Sequence, residues 1–124
     1  MKRAIQTTLA PAAIGPYAQA VDTGDMLFVS GQLPLDPISM TLAMGIQNQT
    51  QQSLNNIEQI VKAAGYDLQD IVKCTVYLKN MNDFPLMNET YQHFFGSHKP
   101  ARAAVEVARL PKDALIEIDC IAKR

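Results

Sequence analysis

Residues 100–123, PARAAVEVARLPKDALIEIDCIAK, contain two β-prone runs joined by a short polar link, and where those runs lie in the sheet decides the fold. In the first run Ala103, Val105 and Val107 share one side, with Arg102, Ala104 and Glu106 on the other. In the second, Ile116, Ile118, Cys120 and Ala122 form the apolar side and Glu117 and Asp119 lie opposite. If both apolar sides face one core, a hairpin closed over the four residues RLPK must pair odd positions with even ones. That register sets Ala104 opposite Glu117 and Arg102 opposite Asp119, with Arg102 diagonal to Glu117 and within reach of it. The expectation is that Arg102 and Glu117 meet on the sheet face away from any helix.

Working outward, VKCTVYLK (72–79) alternates, with Val72, Cys74, Val76 and Leu78 on one side and Lys73, Thr75, Tyr77 and Lys79 on the other, which predicts a strand with one apolar face. Between these strands, NMNDFPLMNETYQHFFG reads as a helix. Asn82 or Asp83 is the N-cap, Pro85 sits in the first turn, Phe84, Met87, Tyr91, Phe94 and Phe95 are its apolar positions, and Gly96 is the stop. Upstream, Ile46, Leu54, Ile57, Ile60, Val61 and Ala64 fall on one helical face, and Gly65 ends that helix. At the start, RAIQT is a weak strand, and YAQAV and MLFVSG flank the turn DTGD as a hairpin. The segment QLPLDPISMTLAMG reads as an irregular loop. The order is therefore β-β-β-α-β-α-β-β, and two helices suffice to cover one face of such a sheet.

The chain has 124 residues, nearly half of them hydrophobic, with a net charge of −1, which fits one domain over 1–124 and supplies no basic stripe for phosphate contacts. No nucleic-acid or membrane partner is expected. No apolar run is long enough for a membrane span, and MKRAIQTTLAPAA carries no signal-peptide core, so a cytoplasmic protein is expected. Cys74 and Cys120 fall in apolar strand patterns without metal-ligand spacing and read as buried reduced thiols. His93 and His98 have no partner at metal spacing and read as helix-end residues, so no metal site is expected.

From pattern alone, Arg102, Asp119 and Glu117 make a cross-strand ion pair on a solvated face. The uncovered face also carries Tyr77, Leu115 and Ile121, however, and apolar residues there call for a partner surface. At a subunit interface the arginine and carboxylate become either a structural bridge or a site for a small acid, because guanidinium grips a carboxylate at two points.

The segments APAAIGPYAQAV, SGQLPLDP, QSLNNIEQIVKAAG, DIVKCTVYLKNMNDFPLMNETYQHFF and PARAAVEVARLPKDALIEIDCIA, in this order, resemble the Rid/YjgF family of enamine/imine deaminases along essentially the whole chain. The resemblance implies an α+β, chorismate-mutase-like (YjgF-like) fold: a mixed six-stranded sheet with two helices on one face. It also implies a homotrimer with active sites at its interfaces, no cofactor, and a small imino acid as substrate. By the same resemblance Arg102 takes the substrate carboxylate, Glu117 handles water, and Tyr17, Ser30, Gly31 and Asn88 line the pocket. Taken without it, Tyr17 is a turn aromatic, Ser30 and Gly31 end a strand, and Asn88 is a solvated helix residue.

Three departures from relatives stand out. Ala104 replaces a cysteine carried by some of them, leaving only its backbone to act. The Pro37–Thr50 loop lacks a glycine turn and an acidic residue. The link GSHKPAR is short and places Lys99 where an apolar residue is common. The activity implied is hydrolysis of 2-iminobutanoate and 2-iminopropanoate, the tautomers of enamines such as 2-aminoacrylate, to 2-oxo acids and ammonia. The alternatives are a non-catalytic 2-oxo acid binding module and, less favoured by the charge balance, a ribonuclease or translation inhibitor.

Overall fold

The structure is a computed structural model and describes residues 2–124. Its strands are β1 (Arg3–Ile5), β2 (Ala20–Asp22), β3 (Met26–Gln32), β4 (Ile71–Leu78), β5 (Ala101–Glu106) and β6 (Ile116–Lys123), and its helices are α1 (Gly45–Ala63) and α2 (Phe84–Phe95). Element order follows the expectation. The six strands form one mixed sheet in the order β1-β2-β3-β6-β4-β5.

The hairpin expected over residues 100–123 does not form. β5 pairs in parallel with β4 at the sheet edge, and β6 is inserted antiparallel between β3 and β4. The physical reason lies in β6: its four apolar residues, Ile116, Ile118, Cys120 and Ala122, are all buried, and a strand so apolar on one side stabilises the sheet most at its centre. The face assigned to β5 is reversed as well. Cys74 pairs with Arg102 and Val76 with Ala104, so Arg102 and Ala104 share the helix-covered side with buried Cys74 and Val76. Val105, expected inside, is 43% exposed on the other face.

Val72 corrects the sequence reading in the same way. A register shift between Ile71 and Lys73 turns Ile71 into the core and leaves Val72 exposed. β2 begins at Ala20, later than YAQAV implies, because Tyr17–Ala18 belong to the preceding loop. Asp83 precedes α2 but makes no side-chain cap. Asn80 instead caps the short turn Met81–Asp83 by accepting from the Asn82 N–H at 2.9 Å.

One side of the sheet packs on both helices. Leu54, Ile57, Ile60 and Val61 of α1 and Met87, Tyr91 and Phe95 of α2 are buried against Leu27, Val76, Ile116 and Ile118. Buried polar side chains of α1 and of Gln19, just before β2, hold the loops in place. Asn56 donates to the carbonyls of Leu33 and Leu35, Gln49 accepts from the Leu115 N–H, and Gln19 donates to the Pro11 carbonyl and accepts from the Thr7 N–H. Each such bond satisfies a group that would be costly to bury alone.

Far from α2, Asp22 gathers the ends of the chain. It accepts from the Tyr66 hydroxyl at 2.8 Å, the Gly24 N–H at 2.9 Å and the Arg3 guanidinium at 3.1 Å, and Arg124 stacks over Tyr66 beside it. The Gly24 N–H and then the Tyr66 hydroxyl hold the Asp22 carboxyl down at about 2.

The opposite sheet face has no helix. Phe28 pairs there with Ile121 and Tyr77 with Val105, and Phe28 and Val105 are exposed. Cys74 and Cys120 face one another directly across β4 and β6. Both are free and buried, and burial pushes the Cys74 thiol up to about 11.

Candidate active site

Glu117 alternates with buried Ile116 and Ile118 and therefore emerges on the helix-free face of β6. Its carboxylate lies directly on Gly31 of β3, where any Cβ would collide with Oε2. β3 is irregular between Val29 and Gln32, and this bulge together with the missing side chain makes room for the acid. Glu117 is half-buried and has no hydrogen-bond or ion-pair partner among the described residues. Desolvation, and then the charge of Asp119, raise its carboxyl above the ordinary value of 4.5. Asp119, by contrast, is partnered: the Tyr77 hydroxyl donates to it at 3.0 Å.

Glu117 opens into a cavity of about 620 Å³ that it shares with Tyr17, Ser30 and Gly31. Ser30 is held by donating to the Ala18 carbonyl at 2.6 Å, and Tyr17, half exposed, stands at the mouth against Gly15. Two wall residues that the sequence did not single out are Met40 and Lys112, both at left-handed φ of 58°. Such angles cost a side-chain-bearing residue roughly 1 kcal/mol, so strained backbone borders the acid.

Arg102 lies elsewhere. On the helix side of edge strand β5 it faces a second cavity of about 430 Å³ that includes Asn88. Its Nη1 donates to Asn88 Oδ1 at 2.7 Å, and its guanidinium sits 4.8 Å from the Tyr91 ring centroid and 5.4 Å from that of Phe84. Phe84, Asn88 and Tyr91 are spaced four and three apart, so one face of α2 supplies the whole platform. That spacing was visible in the sequence, where the two aromatics read as core. No carboxylate of the described chain pairs with Arg102.

Ala104 lines neither cavity. The Val107 N–H donates to the Leu78 carbonyl, and the alternation of a parallel ladder then turns the backbone groups of Val105 toward β4 and those of Ala104 out to the open edge. The seven expected site residues thus fall into three places within one protomer: Tyr17, Ser30, Gly31 and Glu117 on one side, Asn88 and Arg102 on the other, and Ala104 at the edge. Arg102 and Glu117 do not meet, contrary to the register expected from sequence, because β4 separates their strands and the two side chains point to opposite faces.

Residues 7–124 match the family described as Endoribonuclease L-PSP, the YjgF/Rid family. The chain belongs to this family. A RutC family protein of Pyrococcus horikoshii is 57% identical over 98% of both chains, and the 2-iminobutanoate/2-iminopropanoate deaminase of Salmonella typhimurium is 53% identical over 100% of this chain and 99% of that one. Among solved structures, the YjgF gene product of Escherichia coli is 51% identical with a TM-score of 0.95. Escherichia coli TdcF with bound serine is 47% identical with a TM-score of 0.96. Each of the two alignments covers 98% of both chains. The mixed sheet with two helices on one face is thus the fold of this Rid-family chain.

Proposed function

We propose that the protein hydrolyses 2-imino acids, with 2-iminopropanoate and 2-iminobutanoate as the substrate type, to 2-oxo acids and ammonia, at a site built from two copies of the chain. The observation that carries the reading is a division of charges. A desolvated carboxylate without a donor and a propped guanidinium without a carboxylate lie on opposite faces of one sheet. The names of relatives more than 50% identical supply the substrate class. The helix-free face, with Phe28, Tyr77, Val105 and Ile121, is the surface a second and third copy would cover, giving a homotrimer.

In that arrangement Arg102 of one copy grips the substrate carboxylate, oriented by Asn88 and by the two rings beneath it. Glu117 of the neighbour takes a proton from water, and its raised basicity suits this role near neutral pH. The water oxygen bonds to the imine carbon while the C=N π pair moves to the nitrogen, neutralising the protonated imine. Proton transfer to the resulting amine and collapse of the aminoalcohol then release ammonia and leave the carbonyl. The outward backbone carbonyl of Ala104 is placed to accept from the attacking water or the imine N–H. Tyr17 and Ser30 wall the pocket, and Tyr17 shields the reacting centre from bulk solvent. Attack on a cation needs placement more than charge stabilisation.

The test is subunit complementation, read as imine loss behind a pyridoxal-phosphate dehydratase. Glu117→Gln and Arg102→Ala are each made, unfolded, mixed in equal amounts and refolded together. Sites formed from two chains regain activity at about a quarter of the interfaces, the random-mixing fraction for a cyclic oligomer. A site contained in one protomer regains none, and that result defeats the reading.

A further inference from the structure

The Arg102 cavity contains a second cation that the reaction above leaves idle. Lys99 lines it, is exposed, and makes no ion pair among the described residues, and no acidic side chain lines the cavity at all. Lys99 lies just before β5, three residues before Arg102, and the two side chains line the same cavity. Asn88, which orients Arg102, is followed one turn later on α2 by Gln92, which also lines the cavity. The cavity therefore has two cations on one side, Arg102 and Lys99, and on α2 the amide residues Asn88 and Gln92, separated along the helix by about 6 Å, four residues at ~1.5 Å each. A five-carbon diacid, with four C–C bonds of about 1.5 Å, separates its two carboxyl carbons by roughly 5 Å.

We infer that Lys99 and Gln92 form a second carboxylate subsite, which makes dicarboxylic 2-imino acids of four or five carbons a preferred substrate class of this site. The inference rests on the proposed role of Arg102 as the grip for the carboxylate next to the imine. With that end held, the distal carboxylate meets Lys99, while a monocarboxylate leaves the lysine solvated. The lysine adds nothing to the chemical step, so its effect belongs to selection between substrates.

The probes are 2-oxoglutarate and 2-oxopentanoate, which share a five-carbon chain and differ in the distal carboxylate. Their affinities are measured by titration calorimetry for the wild type, Lys99→Met and Arg102→Ala. The expected result is a three- to fivefold tighter binding of 2-oxoglutarate by the wild type, the size of a largely exposed ion pair, falling to near unity in Lys99→Met and weakening in added salt. Equal binding of both probes by the wild type, lost in Arg102→Ala, overturns the second subsite while leaving the Arg102 site standing. A preference that survives Lys99→Met also overturns it. Failure of both probes to bind the wild type removes the Arg102 reading and this inference together.

Discussion

Asp22, buried, and Glu117, half-buried, are acids on strands of the same sheet, and their surroundings are opposites. Asp22 accepts from a hydroxyl, a backbone N–H and a guanidinium, and its carboxyl is held down to about 2. Glu117 accepts from nothing among the described residues, faces a cavity, and has its carboxyl raised by desolvation. A fully satisfied carboxylate fastens the fold, tying β2 to Tyr66 and to Arg124 at the end of the chain. An unsatisfied one keeps its lone pairs for something the protomer lacks. The backbone follows the same division: Met40 and Lys112, two of the three non-glycine residues at positive φ among the described residues, border the Glu117 cavity.

The contrast breaks most visibly at Glu117. Replacing it by Gln keeps the size of the side chain and removes the base, so turnover should fall by roughly a hundredfold or more, with 2-oxobutanoate still bound. In the parent the acid limb of kcat/KM should lie above the ordinary carboxylate value of 4.5, because activity needs the ionised acid and is lost as pH falls through a raised value. The same shift costs stability where the folded protein carries the charge. Glu117→Gln should therefore melt higher than the parent at neutral pH, and this gain should vanish as pH drops through 4.5. A lower melting temperature instead would make Glu117 a second Asp22.

Gly31→Ala sharpens the comparison without touching a charge. The added methyl occupies the place of the Glu117 carboxyl and must displace it, and a shift of about 1 Å in a placed catalytic group costs on the order of a hundredfold in turnover. Circular dichroism should show the fold retained.

Asp22→Asn tests the other pole. It should lower the melting temperature by several degrees while leaving turnover per folded molecule intact. The loss should be full above pH 4 and should shrink as pH falls toward about 2, where the parent's own Asp22 becomes protonated. Loss of activity at unchanged stability would erase the distinction between the two acids. The smallest effect is expected at Met40→Gly, which relieves a left-handed φ of 58° and should raise stability by about 0.5 kcal/mol, read as a shift in urea midpoint.

Which of these features the sequence displayed follows from the range of each signal. Helical spacing is local, and Leu54, Ile57, Ile60 and Val61 lie buried where their period put them. The alternation of residues 116–122 likewise fixed the buried side of β6. Strand pairing is not local. Nearness in sequence favoured a β5–β6 hairpin, but nothing in RLPK records that β6 fits better between β3 and β4. The face of Arg102 was misread because an arginine stacked on Phe84 and Tyr91 looks, by polarity, like one in water. Gly31 read as the end of a strand because the atom that forbids a side chain there arrives from Glu117, far along the chain. Val72 was lost to a single extra residue in β4, which inverts the alternation on its N-terminal side and leaves Cys74, Val76 and Leu78 buried as expected.

The position of β6 also sets a timetable. It is the last strand to be made, yet β3 and β4 have no other bridge between them in the sheet. While a ribosome is still translating the C-terminal segment, β1–β3 and β4–β5 are two separate half-sheets with exposed inner edges, and α1 has only part of its floor. Closure waits for β6 and then joins segments distant in sequence, the kind of step that makes folding slow and its precursors prone to stick to one another. A chain terminated just before Ile116 would be missing the strand at the centre of its sheet.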